Sequence, residues 1–155
     1  MSKTYSYTTE ATTANRMAKA FLALQFSQTK VRILYGLIIA AILANLFAFS
    51  GQAVFITVIL MVFAVLFPVL TYRNAKRAFD IFAAPGAVMS ASFTDDTLKI
   101  GTAKGTSEIK YDTFEKVVNR DGFVMLKQRG SAIWTVLPKE LFPDSALETF
   151  ARHTK

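Results

Sequence analysis

Residues 33 to 72 are almost wholly apolar, and they leave this chain few ways to fold. Ile33 to Phe49 reads ILYGLIIAAILANLFAF, 17 residues without a charge, and Ala53 to Tyr72 reads AVFITVILMVFAVLFPVLTY, 20 residues without a charge. Only Ser50, Gly51 and Gln52 separate them. At about 1.5 Å per helical residue these runs reach roughly 26 Å and 30 Å, against roughly 30 Å for the hydrocarbon core of a bilayer. A helix that is apolar all round needs an apolar environment on every side. The runs therefore predict a transmembrane hairpin, with spans over about 33–49 and 53–72 and soluble segments at both ends.

The formal net charge of +7 is unevenly spread. Before the hairpin, Lys3, Arg16, Lys19, Lys30 and Arg32 stand against Glu10 alone; directly after it, Arg73, Lys76 and Arg77 stand against Asp80. From Ala87 onward the two signs nearly cancel. A nucleic-acid binder concentrates basic charge on its folded domain, so that class is set aside. Basic flanks stay on the cytoplasmic side. Lys30, Arg32, Arg73, Lys76 and Arg77 therefore set the expected topology: both termini cytoplasmic, the Ser50-Gly51-Gln52 turn outside, and the protein multi-pass in a bacterial inner membrane. Ala48-Phe49-Ser50 resembles a small-x-small cleavage site. The segment before it is too long for a signal peptide, and a second apolar run follows at once, so no cleavage is expected.

Before the hairpin, residues 1–30 divide into a strand and a helix. Tyr5 and Tyr7 alternate with small polar residues, which suits a short strand over residues 3–9. Thr8 or Thr9 is placed to cap a helix from about Glu10 to Gln28. Met17, Phe21, Leu24 and Gln28, with Ala20 and Ala23 alongside, make one apolar stripe. It has two available partners, the lipid headgroups or the C-terminal domain. The stripe is narrow and the opposite face only weakly basic, which favours the domain.

Within the first span Asn45 is the only strongly polar side chain. It suits either a pore or an interhelical hydrogen bond, to the other span or to a second copy of the chain. No ionisable group accompanies it, which favours the hydrogen bond. Gly36, Ala40, Ala41 and Ala44 form a small-residue face suited to close helix approach. Thr57 can bond its own helix backbone. Pro68 is expected to kink the second span. Helical pattern continues through RNAKRAFDIF (Arg73–Phe82) as a stalk, completing a hairpin unit over 31–82, until Pro85-Gly86 ends it.

From Ala87 the apolar period changes to two. Strands are expected at Val88–Phe93, around Leu98 and Ile100, at Ser107–Tyr111, Phe114–Val118, Phe123–Lys127 and Ala132–Leu137. Asp95-Asp96, Lys104-Gly105, Asp121-Gly122 and Arg129-Gly130 supply the turns between them, Asp121-Gly122 being the strongest hairpin signal. Ser145 to Glu148 reads as a capping box before a helix that buries Leu147, Phe150 and Ala151. The predicted class is α+β: a two-helix transmembrane hairpin followed by a small curved antiparallel sheet, residues 87–155, whose open side the C-terminal helix plugs. Phe114, Val117, Phe123, Trp134, Leu147 and Phe150 are its expected core.

The segment SEIKYDTFEKVVNRDGFVMLK (Ser107–Lys127), then Trp134 to Lys139, Phe142 and the helix through Phe150, resembles the YcxB-like family of small bacterial membrane proteins. The resemblance runs from about Ser92 to Phe150. It implies a pleckstrin-homology-like half-barrel on the cytoplasmic side. It carries no enzymatic motif from which a functional residue would transfer.

Chemistry finds no foothold. The chain has no cysteine, and its one histidine, His153, sits two residues from the end, so thiolate and histidine-based metal sites are set aside. A Ser-His-Asp triad would need that terminal histidine. Asp95-Asp96 reads as turn chemistry rather than a carboxylate dyad. Gly101 to Gly105, GTAKG, lacks the spacing and following helix of a phosphate loop. No cofactor is expected. Trp134 is a candidate ligand anchor, although its alternation with Val136 favours core or domain-to-membrane packing. The expectation is a non-enzymatic membrane protein whose domain is a binding module. The alternative is an immunity protein that neutralises a toxin acting at the inner membrane. Expected partners are the bilayer and a protein, a toxin in the alternative reading; self-association through the hairpin is open.

Overall fold

The computed structural model describes residues 4–48 and 50–153. Lys3, Phe49 and Lys155 lie outside the described residues, as do the side chains of Ala48, Ala151 and His153.

The two apolar runs are two long helices. Helix α1 (Thr13–Ser27) comes first and ends at Gln28, whose extended backbone breaks the path before α2 (Thr29–Ala48). Ser50 then caps α3 (Gly51–Phe82), its hydroxyl accepting the Ala53 N–H at 3.2 Å. Helix α3 runs without interruption from the apolar run through the predicted stalk, with Pro68 inside it. It stops where Pro85 forbids another turn and Gly86 takes a positive φ of 80°. By length and composition α2 and α3 can each cross a membrane.

They pack on each other through a stripe different from the small-residue face. Burial on α2 follows Val31, Tyr35, Ile38, Ile42 and Asn45, while Gly36, Ala40 and Ala44 stay exposed and a Cβ at Gly36 would meet nothing. The apolar volume of Tyr35 and Ile38 takes most of the interface, and of the predicted small-residue face Ala41 alone is half-buried. The Tyr35 hydroxyl donates to the Ala64 carbonyl at 3.0 Å. Asn45 is half-buried and makes no side-chain hydrogen bond among the described residues. It is Thr71, rather than Thr57, that bonds back to a carbonyl of its own helix, that of Phe67.

Beyond the hairpin lie two antiparallel sheets where one was expected. The first has the order β1-β2-β3-β4, formed by β1 (Thr4–Thr8), β2 (Val88–Phe93), β3 (Thr97–Thr102) and β4 (Gly105–Lys110). The second is β5-β6-β7, formed by β5 (Phe114–Arg120), β6 (Phe123–Gln128) and β7 (Trp134–Pro138). The break falls at Tyr111–Thr113, predicted to end a strand but observed as one turn of 3-10 helix. The buried Tyr111 ring draws the chain inward there, and its hydroxyl donates to the Thr94 carbonyl at 2.7 Å. The Asp121-Gly122 hairpin forms as its sequence demands, both residues having positive φ (55° and 78°).

Strand β1 pairs with β2 across the whole hairpin, Tyr5 opposite Ala91 and Tyr7 opposite Met89. Thr9, expected as a helix cap, is committed to this junction instead. Its N–H and hydroxyl both reach the Ala87 carbonyl at 2.9 Å, and its carbonyl accepts the Gly86 N–H at 2.8 Å. The helix accordingly starts later, at Thr13.

Two cores result. In the first, between the sheets, Phe150 of α4 (Asp144–His153) is fully buried and meets the rings of Phe93, Tyr111, Phe114 and Phe142 at centroid distances of 4.6–6.5 Å. Val117 and Leu147 pack against it. Ser145 is not the cap of α4: the helix begins at Asp144, directly after Pro143, whose carbonyl accepts the Ala146 N–H.

The second core lies on the outer face of the β5-β6-β7 sheet. There Met17, Ala20 and Leu24 of α1 pack against Phe123, Met125 and Val136, with Phe79 and Ala83 from the end of α3. The α1 stripe thus packs on the domain. Phe123 and Trp134 belong to this second core, not to the interior of the sheets. Residues Phe123 to Leu126 are all buried because β6 has a core on each face.

Candidate functional site

Three clefts meet at Trp134, the residue singled out from sequence. The register explains why. Trp134 opens β7 directly opposite Lys127 of β6, and Lys127 lies opposite Lys116 of β5. Directly opposed residues point to the same side of an antiparallel sheet. Along the outer face the rows therefore run Arg120–Phe123–Pro138, then Val118–Met125–Val136, then Lys116–Lys127–Trp134. Helix α1 covers the first two, with the Arg16 guanidinium 5.5 Å from the centre of the Phe123 ring. It ends over the third, where the apolar contact gives way to charge.

On one side of Trp134 is an apolar cleft of about 320 Å³ between the two sheets. Phe79 and Phe82 of α3 form one wall, and Met89, Ile100 and Ile109 form another. Thr102, Ser107 and Thr135 contribute hydroxyls. Two strand edges border it: β4 is the last strand of its sheet and β7 the last of the other. Ile133 is exposed at the rim, and the Lys104 ammonium stands 5.2 Å from the centre of the Phe82 ring. Met89 and Ile100 also belong to the first core, which holds the Phe150 cluster of α4.

On the other side is a polar cleft of about 330 Å³, lined by Ser27, Gln28, Thr29 and Lys30 from the α1–α2 junction and by Lys116, Lys127 and Trp134 from the sheet. Glu115 is the extra residue of a bulge between Phe114 and Lys116, and its carboxylate pairs with Lys127. That hydrogen bond, aided by nearby Lys127 charge, holds the Glu115 carboxyl below its usual range despite some desolvation. Among the described residues Lys30 and Lys116 have no ion-pair partner. Glu115 and Lys127, with Gln25 and Gly130, also line the third cleft.

Residues 93–153 match the family model described as YcxB-like protein. No curated protein and no solved structure matches the chain. The YcxB-like segment begins in β2 and ends in α4, so it contains Trp134, Lys116 and Lys127 but neither the hairpin nor β1 and α1. Both clefts are therefore built jointly by YcxB-like strands and by elements outside the matched segment.

The other sequence candidates are scattered. Asn45 lies within α2, far along the chain from these clefts. Of the five topology residues only Lys30 lines one of them. Arg32, Arg73 and Arg77 are exposed, and Lys76 pairs with Asp80 one turn on, at 2.8 Å. Sequence reasoning missed Lys116 and Lys127. The signal was present in the alternation around Asp121-Gly122, which fixes the register that sets them opposite each other. Among the described residues no three His, Asp or Glu side chains gather as a metal site.

Proposed function

We propose that this chain is a two-span protein of the bacterial inner membrane, with both termini cytoplasmic, that acts by non-covalent binding through the module formed by its sheets. The observation that carries this reading is α3. Over its apolar stretch its side chains are bare, Phe55 66% and Val65 63% exposed, and over its last turns Phe79 and Ala83 are built into the second core. Large apolar surface of that extent is covered by lipid or protein in the cell. The module is thereby fixed against the bilayer in one orientation, with its apolar cleft beside the helix that leaves the membrane. A four-stranded and a three-stranded sheet closed at one end by a helix support reading the module as a pleckstrin-homology-like half-barrel.

The absence of cysteine makes topology directly testable. A membrane-impermeant maleimide should label Gln52→Cys in intact cells and Ser131→Cys only after lysis; the reverse pattern overturns the topology. For binding, a photo-crosslinking residue at Ile133 or Ile109 should capture one partner from native membranes, while the same residue at Lys99, on the outer face, should not. Equal capture at all three positions overturns the cleft as the recognition surface. Turnover of a small substrate by the purified protein, abolished by one substitution, overturns the non-enzymatic reading.

A further inference from the structure

Lys116 and Lys127 are direct cross-strand partners on one face of the second sheet. Like charges in that arrangement repel, and the pair is destabilising unless something neutralises it. Glu115 neutralises one of the two. Lys30, from a different element, adds a third ammonium to the same cleft, and Ser27, Gln28 and Thr29 add hydrogen-bonding groups. The rule that basic residues flank membrane spans accounts for Lys30, the second residue of an apolar helix, but not for Lys116 or Lys127, which belong to the soluble sheet. Among the described residues three cations stand here against one carboxylate, and two of them have no ion-pair partner, which leaves the cleft short of an anion.

We propose that this cleft binds the phosphate of an anionic phospholipid headgroup. The proposal rests on the membrane reading given above, under which the first turn of α2 lies at the headgroup level and the cleft opens there. Lys30 and Lys116 contact the phosphate oxygens, Lys127 is shared between the phosphate and Glu115, and the Trp134 ring forms the wall. An indole is suited to this depth, its apolar body toward the acyl region and its N–H toward water. A glycerophospholipid brings the phosphate already anchored in the bilayer, so little translational freedom is left to lose on binding.

Trp134 is the sole tryptophan and lines this cleft, so its emission responds to binding there, and the lysine variants assign the response to this cleft rather than to the other two that Trp134 borders. The full chain is placed in phosphatidylcholine nanodiscs and phosphatidylglycerol is added in steps. The expected result is a saturable change in Trp134 emission, weakened about tenfold or more in the Lys30→Gln, Lys116→Gln double variant and kept in an Arg73→Gln, Arg77→Gln variant. Equal loss in both variants would mean diffuse surface charge and overturn the site. The same change produced by inorganic phosphate in solution, with nothing added by phosphatidylglycerol, would overturn the lipid source. Lys116→Gln alone relieves the repulsion with Lys127, so its melting temperature should be unchanged or higher while binding weakens; a lower melting temperature would assign Lys116 a structural role and overturn the proposal. Resistance of the protein to carbonate extraction is measured in parallel. Loss of that resistance refutes the membrane reading, whereas an integrated protein blind to phosphatidylglycerol refutes only the site.

Discussion

Phe150 closes the first core from a helix of ten residues, and four other aromatic rings lean on it. Phe150→Ala should cost about 3–5 kcal/mol, because so many rigid rings cannot collapse into the space left behind. The denaturant midpoint of the purified chain measures it, and an unchanged midpoint would remove Phe150 from the core. Tyr111 beside it makes a pH prediction. Burial, with the charges of Asp95 and Asp96, raises its phenol above the usual value. A raised acid binds its proton more tightly when folded, so its contribution is complete below the unfolded value of about 10 and is lost as the pH rises through the folded one. Melting temperature should fall above about pH 10, and the fall should be shallower in Tyr111→Phe. Residues whose role is apolar and local, such as Phe114 and Phe150, were legible in the alternation of the sequence. Thr9, Tyr35 and Tyr111 were not, because each bonds a carbonyl 17 to 78 positions away and no local pattern announces the partner.

At the scale of elements, most strands fall within a residue or two of where period-two alternation put them, and the turn residues fix the hairpins between them. What periodicity withholds is which strand edges meet. The break into two sheets depends on one inward-turned tyrosine, and the pairing of β1 with β2 depends on the hairpin returning the chain to its starting point. The four-residue apolar run of β6 did carry a clue, since a strand apolar on both faces needs two covers. Helix α1 is the second cover. Met17→Ala should therefore destabilise the chain by about 2–5 kcal/mol, and Lys19→Ala, on the exposed side of the same helix, by no more than about 0.5 kcal/mol. Thermal melts of the two variants distinguish a helix packed on the sheet from one resting on lipid. The Tyr72 hydroxyl, which donates to the Asn15 side chain, fastens the same helix to α3.

For the whole molecule, the clefts at Trp134 could not be read from the chain. Each is assembled from strands after the hairpin and from helix residues before or within it. The same division predicts that residues 87–155 produced alone lack the second core. Phe123, Met125 and Val136 would be uncovered, and that fragment should bind a hydrophobic dye more strongly than the same fragment with residues 1–28 joined to it. A fragment that folds without dye binding would show α1 to be dispensable. The pairing of β1 with β2 also fixes an order of events during synthesis. Strand β1 is made first, and its partner emerges about eighty residues later. Until then β1 has no edge to join. An apolar strand left waiting near a ribosome invites aggregation. β1 instead carries Thr4, Ser6 and Thr8 between its two tyrosines. Pairing of α2 with α3, marked by the Tyr35–Ala64 hydrogen bond, roughly halves the length of free chain that the strand pairing must close, a saving of about 0.6 kcal/mol. The larger gain is in timing: β1 finds its partner strand only after the chain has made both long helices.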